Sequence, residues 1–304
     1  MISRGIRQAV HEDKEQIALL WITCFGERRE AIDCFLDTVF SGKDCLVHIE
    51  DERLVAMVHM LPAHIAVPGG KLQAHYIYAA ATHPEYRSKG LMGRLLAQAF
   101  AYGESRGDVC SFLLPSEPSL YDYYGRHGYL PYFRTRFVDI DSVQLGLSGG
   151  HEGDCETEQA SSLSQPEQAV HLRNSELAKH PGSILWPPAY VDYASQVNGI
   201  YGGHSSVLRS RSGDPIGYAL HTAPAAGMVE VSEIFGAGNS WRQMLSHTVK
   251  IAGASRLRIR LPENSQILPG IGATMTFGMA RPLGGFALPV APIGSSPYLG
   301  LTLD

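Results

Sequence analysis

The sequence has no run of about 18 uninterrupted apolar residues, so it predicts no membrane-spanning helix. Its opening, MISRGIRQAVHEDKEQ, lacks the apolar core of a secretory leader. Cysteine is scarce: Cys24, Cys34, Cys45, Cys110 and Cys155 are odd in number and form no CxxC pair. That argues against a disulfide framework or zinc knuckle and predicts a reducing, cytoplasmic setting. The 13 histidines include no HxxxH or HExxH spacing, so no metal site is expected. Positive charge is in deficit, with 25 Lys and Arg against 30 Asp and Glu and a formal net charge of −5. Nothing here suggests the basic face of a nucleic-acid binder, so no nucleic-acid partner is expected, and a cationic substrate is compatible. Two familiar phosphate loops, GxxxxGK[ST] and GxGxxG, are also absent.

What is present fits a globular chain. Its 304 residues are 44% hydrophobic and 18% charged, enough for two domains with their own cores. Residues 6–10 read as a strand. Residues 11–25 read as a helix turning Ile17, Leu20, Ile22 and Cys24 inward, and a second helix covers 29–40. Apolar and polar residues then alternate from Cys45 to Ala81, with turns at Asp51-Glu52 and at Pro68-Gly69-Gly70. That pattern predicts antiparallel hairpins. VCSFLLP (109–115) has the continuous apolar character of a buried strand. A tyrosine-rich helix, SLYDYYGRHG, follows and ends at Gly128.

Residues 146–168 change character, with Gly, Ser and Gln dominant, five acidic residues and no Lys or Arg. This predicts a linker at 145–168 between domains at 1–144 and 169–304. Beyond it the order strands, helix, strand returns. Strands surround the turn Gly213-Asp214-Pro215. A helix runs from Ser240 to Gly253, capped by Asn239 or Ser240, and SRLRIRLPEN matches DVCSFLLPSE in position. The second half therefore reads as a degenerate copy of the first.

The stretch EYRSKGLMGRLL (85–96) carries the chemistry. Arg87, Ser88, Lys89, Gly90 and Gly93 punctuate a turn, and Leu91, Leu95, Leu96 and Ala99 then recur at helical spacing. The mouth of a helix offers free N–H groups and the positive end of its dipole, and glycine admits an anion to that backbone. Phosphate is the matching guest. The second half has GAGNS at this place, without the cations. A solvated turn before a helix remains the alternative reading.

With a strand before and the tyrosine helix after, this region resembles the GNAT acyl-CoA-dependent N-acetyltransferases. Their loop has the form Arg/Gln-x-x-Gly-x-Gly/Ala; Arg87, Gly90 and Met92 stand at those places, and Met92 departs from the small residue usual there. The resemblance covers about residues 5–137 and is nearest to the Eis branch, whose YGRFGY is close to YGRHGY here. It implies an α/β fold with a mixed sheet, a catalytic GNAT domain followed by a degenerate GNAT-like one, and acetyl-CoA as cosubstrate. Ala80, Ala81 and Thr82 would orient the pantetheine through backbone groups. Arg87, Ser88, Lys89, Gly90, Leu91, Met92 and Gly93 would hold the pyrophosphate.

The implied reaction is direct attack of a primary amine on the thioester. Tyr124, four residues before Gly128, is the candidate general acid for the leaving thiolate; packing is its competing role. His75 is the candidate base, with His83 and Glu117 as alternatives. In Eis-like relatives the terminal carboxylate reaches the site, which would be Asp304 here. The acceptor is a small-molecule or peptide amine, and self-association is left open. Two other functions compete: a tandem-GNAT acyltransferase with another acyl donor, and a non-catalytic acyl-CoA sensor.

Overall fold

The computed structural model describes residues 5–146, 156–160, 166–290 and 296–303. Most of the expected linker, Cys155 and Asp304 lie outside the described residues. Two compact units emerge. The first comprises residues 1–65, 71–132 and 278–288, the second 66–70, 133–277 and 289–304.

The first unit begins with β1 (Gly5–Gln8), α1 (Lys14–Phe25), α2 (Arg29–Thr38) and β2 (Cys45–Glu50). The long β3 (Arg53–Val67) and β4 (Gly70–Thr82) follow, then α3 (Leu91–Ser105), β5 (Cys110–Leu113), α4 (Pro118–Gly125) and β6 (Leu130–Pro131). The second unit takes β7 (Arg134–Asp141), β8 (Glu156–Ala160), α5 (Pro166–Leu177), β9 (Ile184–Leu185), α6 (Pro188–Ile200) and β10 (His204–Arg209). It continues with β11 (Pro215–His221), β12 (Met228–Gly236), α7 (Ser240–Ala252), β13 (Arg256–Leu261) and β14 (Ala273–Thr276). The chain then returns to the first unit as β15 (Met279–Pro282).

The sheet orders expose the repeat. One runs β1-β2-β3-β4-β5-β15-β6, the other β8-β10-β11-β12-β13-β7-β14. Each contains a parallel step, β4 with β5 and β12 with β13, where a helix supplies the crossover that parallel strands require. The fold is a mixed α/β sheet built twice. The units do not follow a single cut at 145–168, and here the domain expectation is corrected. β7, from before the linker, pairs with β13, while β15, from near the end, pairs with β5. Each sheet thus completes itself with a strand from the far half of the sequence.

Local expectations largely correspond to observed elements. Asp51 and Glu52 both take positive φ at the β2–β3 turn, and Gly69 does so between β3 and β4. Along α1 the buried residues are Ile17, Ala18, Leu20 and Trp21. Ile22 is exposed and Cys24 half-buried, contrary to the expected inward pair. At 100° per residue Ile22 stands 140° from Ile17, off the face that Trp21 completes.

α1, α2 and the sheet close over His59 of β3. Trp21 and Phe35 lie 5.5 and 5.0 Å from its ring, and the side chain is sealed from solvent. Burial lowers its pKa from 6.5 to about 3. Because the folded value is depressed, His59 contributes stability above pH 6.5 that is lost as pH falls towards 3. By linkage about 2 kcal/mol disappears between pH 6.5 and pH 5. Urea unfolding at pH 7 and pH 5 should register this loss in wild type and a flatter response in His59→Phe. Equal losses in both proteins would remove His59 as the cause.

Candidate active site

β4 and β5 are parallel neighbours only at Ala74↔Cys110, His75↔Ser111 and Tyr76↔Phe112. Past Leu113, where β5 ends, β4 runs on to Thr82. Ala79 takes φ +45°, a value an L-residue rarely adopts, on the stretch past the parting of the strands. Ala80 and Thr82 are half-buried on this free stretch, and Ala81 is buried.

The chain then makes the cationic turn. Ser88 (φ +61°) and Gly90 (φ +71°) both have left-handed backbone on either side of Lys89. Alternation of this kind turns successive N–H groups towards one concavity. Leu91, Met92 and Gly93 form the first turn of α3, whose N–H groups have no acceptor within the helix. The result is a pocket of about 360 Å³ lined by Thr82, Tyr86, Arg87, Ser88, Gly90, Leu91, Met92, Gly93 and Tyr123. The Arg87 Nε donates to Thr82 O at 3.2 Å, and the same carbonyl accepts the Cys24 thiol at 3.4 Å. Burial raises the Cys24 pKa, opposed by Arg87. The Lys89 Nζ sits 4.5 Å from the Tyr86 ring centroid.

Gly93 explains the departure at Met92. A Cβ at Gly93 would stand 3.1 Å from His127 Cε1. The glycine one step past the expected place therefore lets the end of the tyrosine helix pack on the first turn of α3. His127 in turn lies 4.9 Å from the Tyr123 ring, and burial followed by Arg126 and Arg281 lowers its pKa. Gly128 has φ +83° and no room for a Cβ, because Arg281 of β15 fills that space and donates to His127 O at 2.6 Å. The exchanged strand thus props the tyrosine helix against the loop.

Tyr124 packs within this group, 5.3 Å from the Tyr123 ring and 5.7 Å from the Tyr129 ring. Burial, with a smaller contribution from Tyr123, raises its pKa to about 12. Its phenol therefore keeps its proton throughout the neutral range. Tyr129 exchanges a 2.6 Å hydrogen bond with Ser111 of β5.

His75 is not brought to this place, and the expectation that it acts as base is corrected. It is fully buried against Gly103, where a Cβ would stand 2.6 Å from its Cε1, and its Nδ1 lies 2.7 Å from Asp108 Oδ2. Gly103 and Gly90 are at opposite ends of α3, about 20 Å apart along the helix. Burial lowers the His75 pKa, opposed by Asp108. Arg106 extends the cluster by binding Asp108 (2.6 Å) and Asp44 (2.5 Å), an internal charge network far from the loop. His83 is committed locally, accepting from Glu85 N at 3.4 Å. Glu117 caps α4 in the open, with Ser119 Oγ at 3.5 Å. Tyr123, which the sequence left open between lining a pocket and packing, lines the loop pocket, and His127, which the sequence reading did not single out, packs between it and Gly93. No cluster able to hold a metal occurs among the described residues, and none of their helices is long and apolar enough to cross a membrane.

A strand that parts from its parallel neighbour, a glycine-punctuated cationic turn and the start of a helix meet at one pocket. Residues 5–131 match the acetyltransferase (GNAT) domain family. An uncharacterized N-acetyltransferase of Streptomyces griseus is 29% identical over 105 residues, which are 34% of this chain and 24% of that protein. The chain therefore spans about a quarter of the length of that curated relative. Over both units the fold resembles a probable N-acyltransferase of Enterococcus faecalis, with TM-score 0.71 and 18% identity over 92% of this chain and 73% of that one. Eis1 of Mycobacterium abscessus gives TM-score 0.68 and 14% identity over 92% of this chain and 74% of its own.

Proposed function

We propose that this protein transfers an acetyl group from acetyl-CoA to a primary amine. The observation that carries this reading is the turn at Ser88 and Gly90, whose backbone opens with the first turn of α3 onto one pocket flanked by Arg87 and Lys89. Such a pocket suits the pyrophosphate, and the free stretch of β4 from Ala80 to Thr82 suits the amides of the pantetheine arm. N–H groups on that stretch would also polarise the thioester carbonyl as the amine attacks.

Nitrogen forms the new bond to carbon and gives up a proton to water as the amide forms, the carbon–sulfur bond breaks, and the sulfur takes a proton from a phenol that regains its own from water. Tyr124 is the donor in this reading. A pKa of about 12 makes its phenol a weak acid in isolation. The same dry surroundings raise the basicity of a leaving thiolate, so the proton gains affinity for sulfur as the bond breaks.

Calorimetric titration of acetyl-CoA into wild type and an Arg87→Ala/Lys89→Ala variant tests the cofactor. Micromolar binding in wild type, about −8 kcal/mol, should weaken at least tenfold in the variant. Undiminished binding would move the phosphates elsewhere.

A further inference from the structure

The second unit has its own fork. β12 and β13 pair in parallel from Met228↔Arg256 to Val231↔Ile259. Beyond Val231, β12 stays paired with β11 as far as Gly217↔Gly236, while β13 stays paired with β7 as far as Leu261↔Arg136. The two strands part, and no strand takes the freed edge of β12 among the described residues. A cavity of about 720 Å³, twice that beside Ser88 and Gly90, fills the gap.

The fork is held open by bonds rather than left by loose packing. Buried Arg136 donates to four carbonyls of the far wall, those of Ser265 (2.9 Å), Ile267 (2.8 Å), Leu268 (2.5 Å) and Ile271 (2.7 Å). The Asn264 side chain meets His180 Nδ1 at 3.1 Å, tying that wall to the segment after α5. A volume of this size is typical of a site for a small ligand.

Its lining says which kind. Phe235, Trp241 and Ile267 give it an apolar wall, and beyond Val231 the edge of β12 has no strand partner among the described residues. Lys179 is the one lysine or arginine in the lining, and Glu176 binds it at 2.5 Å. Lys179 is shared with that carboxylate, and the other basic side chains of the lining are the histidines His171 and His180, so a polyphosphate meets little fixed positive charge here. An extended chain of secondary amides with an apolar side chain matches the apolar wall and the strand edge, because it adds to that edge as a strand.

We infer that the fork of the second unit binds a short, extended, phosphate-free peptide segment. The test uses the full chain and a pool of N-acetylated, C-amidated tetrapeptides made without lysine, which present no amine to acetylate. Affinity selection should enrich peptides with apolar residues. Their binding should fall at least tenfold in Gln266→Trp, an exposed position at the mouth, and in Leu172→Glu on α5, with acetyl-CoA binding unchanged in both. No enrichment, or equal retention by both variants, would overturn the inference. Titration with acetyl-CoA provides a further arm. A second equivalent bound by wild type and lost in Gln266→Trp would assign the fork to a pantetheine arm instead. Failure of the Arg87/Lys89 prediction would leave this test untouched, since the fork shares no residue with that pocket.

Discussion

Replacing Glu233 by Ala is expected to cost about 3–5 kcal/mol of stability, a large share of the 5–15 kcal/mol that typically separates folded from unfolded chains. Glu233 and Arg173 are both fully buried, with the guanidinium Nε 3.0 Å from each carboxylate oxygen. Arg173 also donates to Ile184 O at 2.9 Å and Leu299 O at 3.4 Å. Glu233 accepts Leu301 N at 2.9 Å. The pair therefore fastens the stretch Tyr298–Leu303, whose apolar side chains are buried, into the second unit. Gly300 has φ +70°, and a Cβ there would stand 2.5 Å from Glu233 Oε1, so the backbone itself closes on the carboxylate. Burial raises the Glu233 pKa, opposed chiefly by Arg173. Removing the carboxylate strands an arginine in the core, whereas Arg173→Met combined with Glu233→Leu should recover much of the loss. Urea midpoints of the three proteins decide this. A loss below about 1 kcal/mol in Glu233→Ala would mean that water or another group reaches Arg173.

Tyr124→Phe should lower kcat by about 10²–10⁴-fold while leaving the acetyl-CoA dissociation constant within about twofold. Only the hydroxyl is removed; the ring contacts with Tyr123 and Tyr129 that place α4 remain. The measurement pairs steady-state kinetics on an amine panel with calorimetry. Undiminished turnover would strip Tyr124 of the acid role. Absence of turnover in wild type, with acetyl-CoA binding intact, would favour the sensor reading. Because the phenol pKa is about 12, its own ionisation should not limit rate on the alkaline side below about pH 11. An alkaline loss near pH 8 would identify a different acid.

Within the first unit, the site was legible where its logic is local. The positive φ of Ser88 is not a preference of its residue type, but Gly90 takes a left-handed conformation and Leu91 begins the helix through local backbone preference. The same holds for the turns at Asp51-Glu52 and Gly69 and for the helical stripe of α3. His75 shows the limit. As a polar residue on a strand leading to the loop it looked available for chemistry, yet its partner Asp108 is 33 residues away and its burial depends on Gly103. The inward placement of Ile22 failed for a smaller reason, since hydrophobicity was read without the angular position that Trp21 already filled.

By itself the sequence determined the two-fold repeat, the strand–turn–helix unit at residues 76–105 and the loss of the cationic pair from its second copy. All three rest on periodicity and on residues within a few positions of one another. The tertiary structure alone decided that β7 and β15 each complete a sheet from the far half of the chain. It also decided that Gly93 serves His127, that Arg173 and Glu233 meet across 60 residues, and that β12 parts from β13 over a cavity propped by Arg136. These depend on which distant edges and charges satisfy each other once water is excluded. The alternation of a strand records that it is buried, not beside which strand it lies.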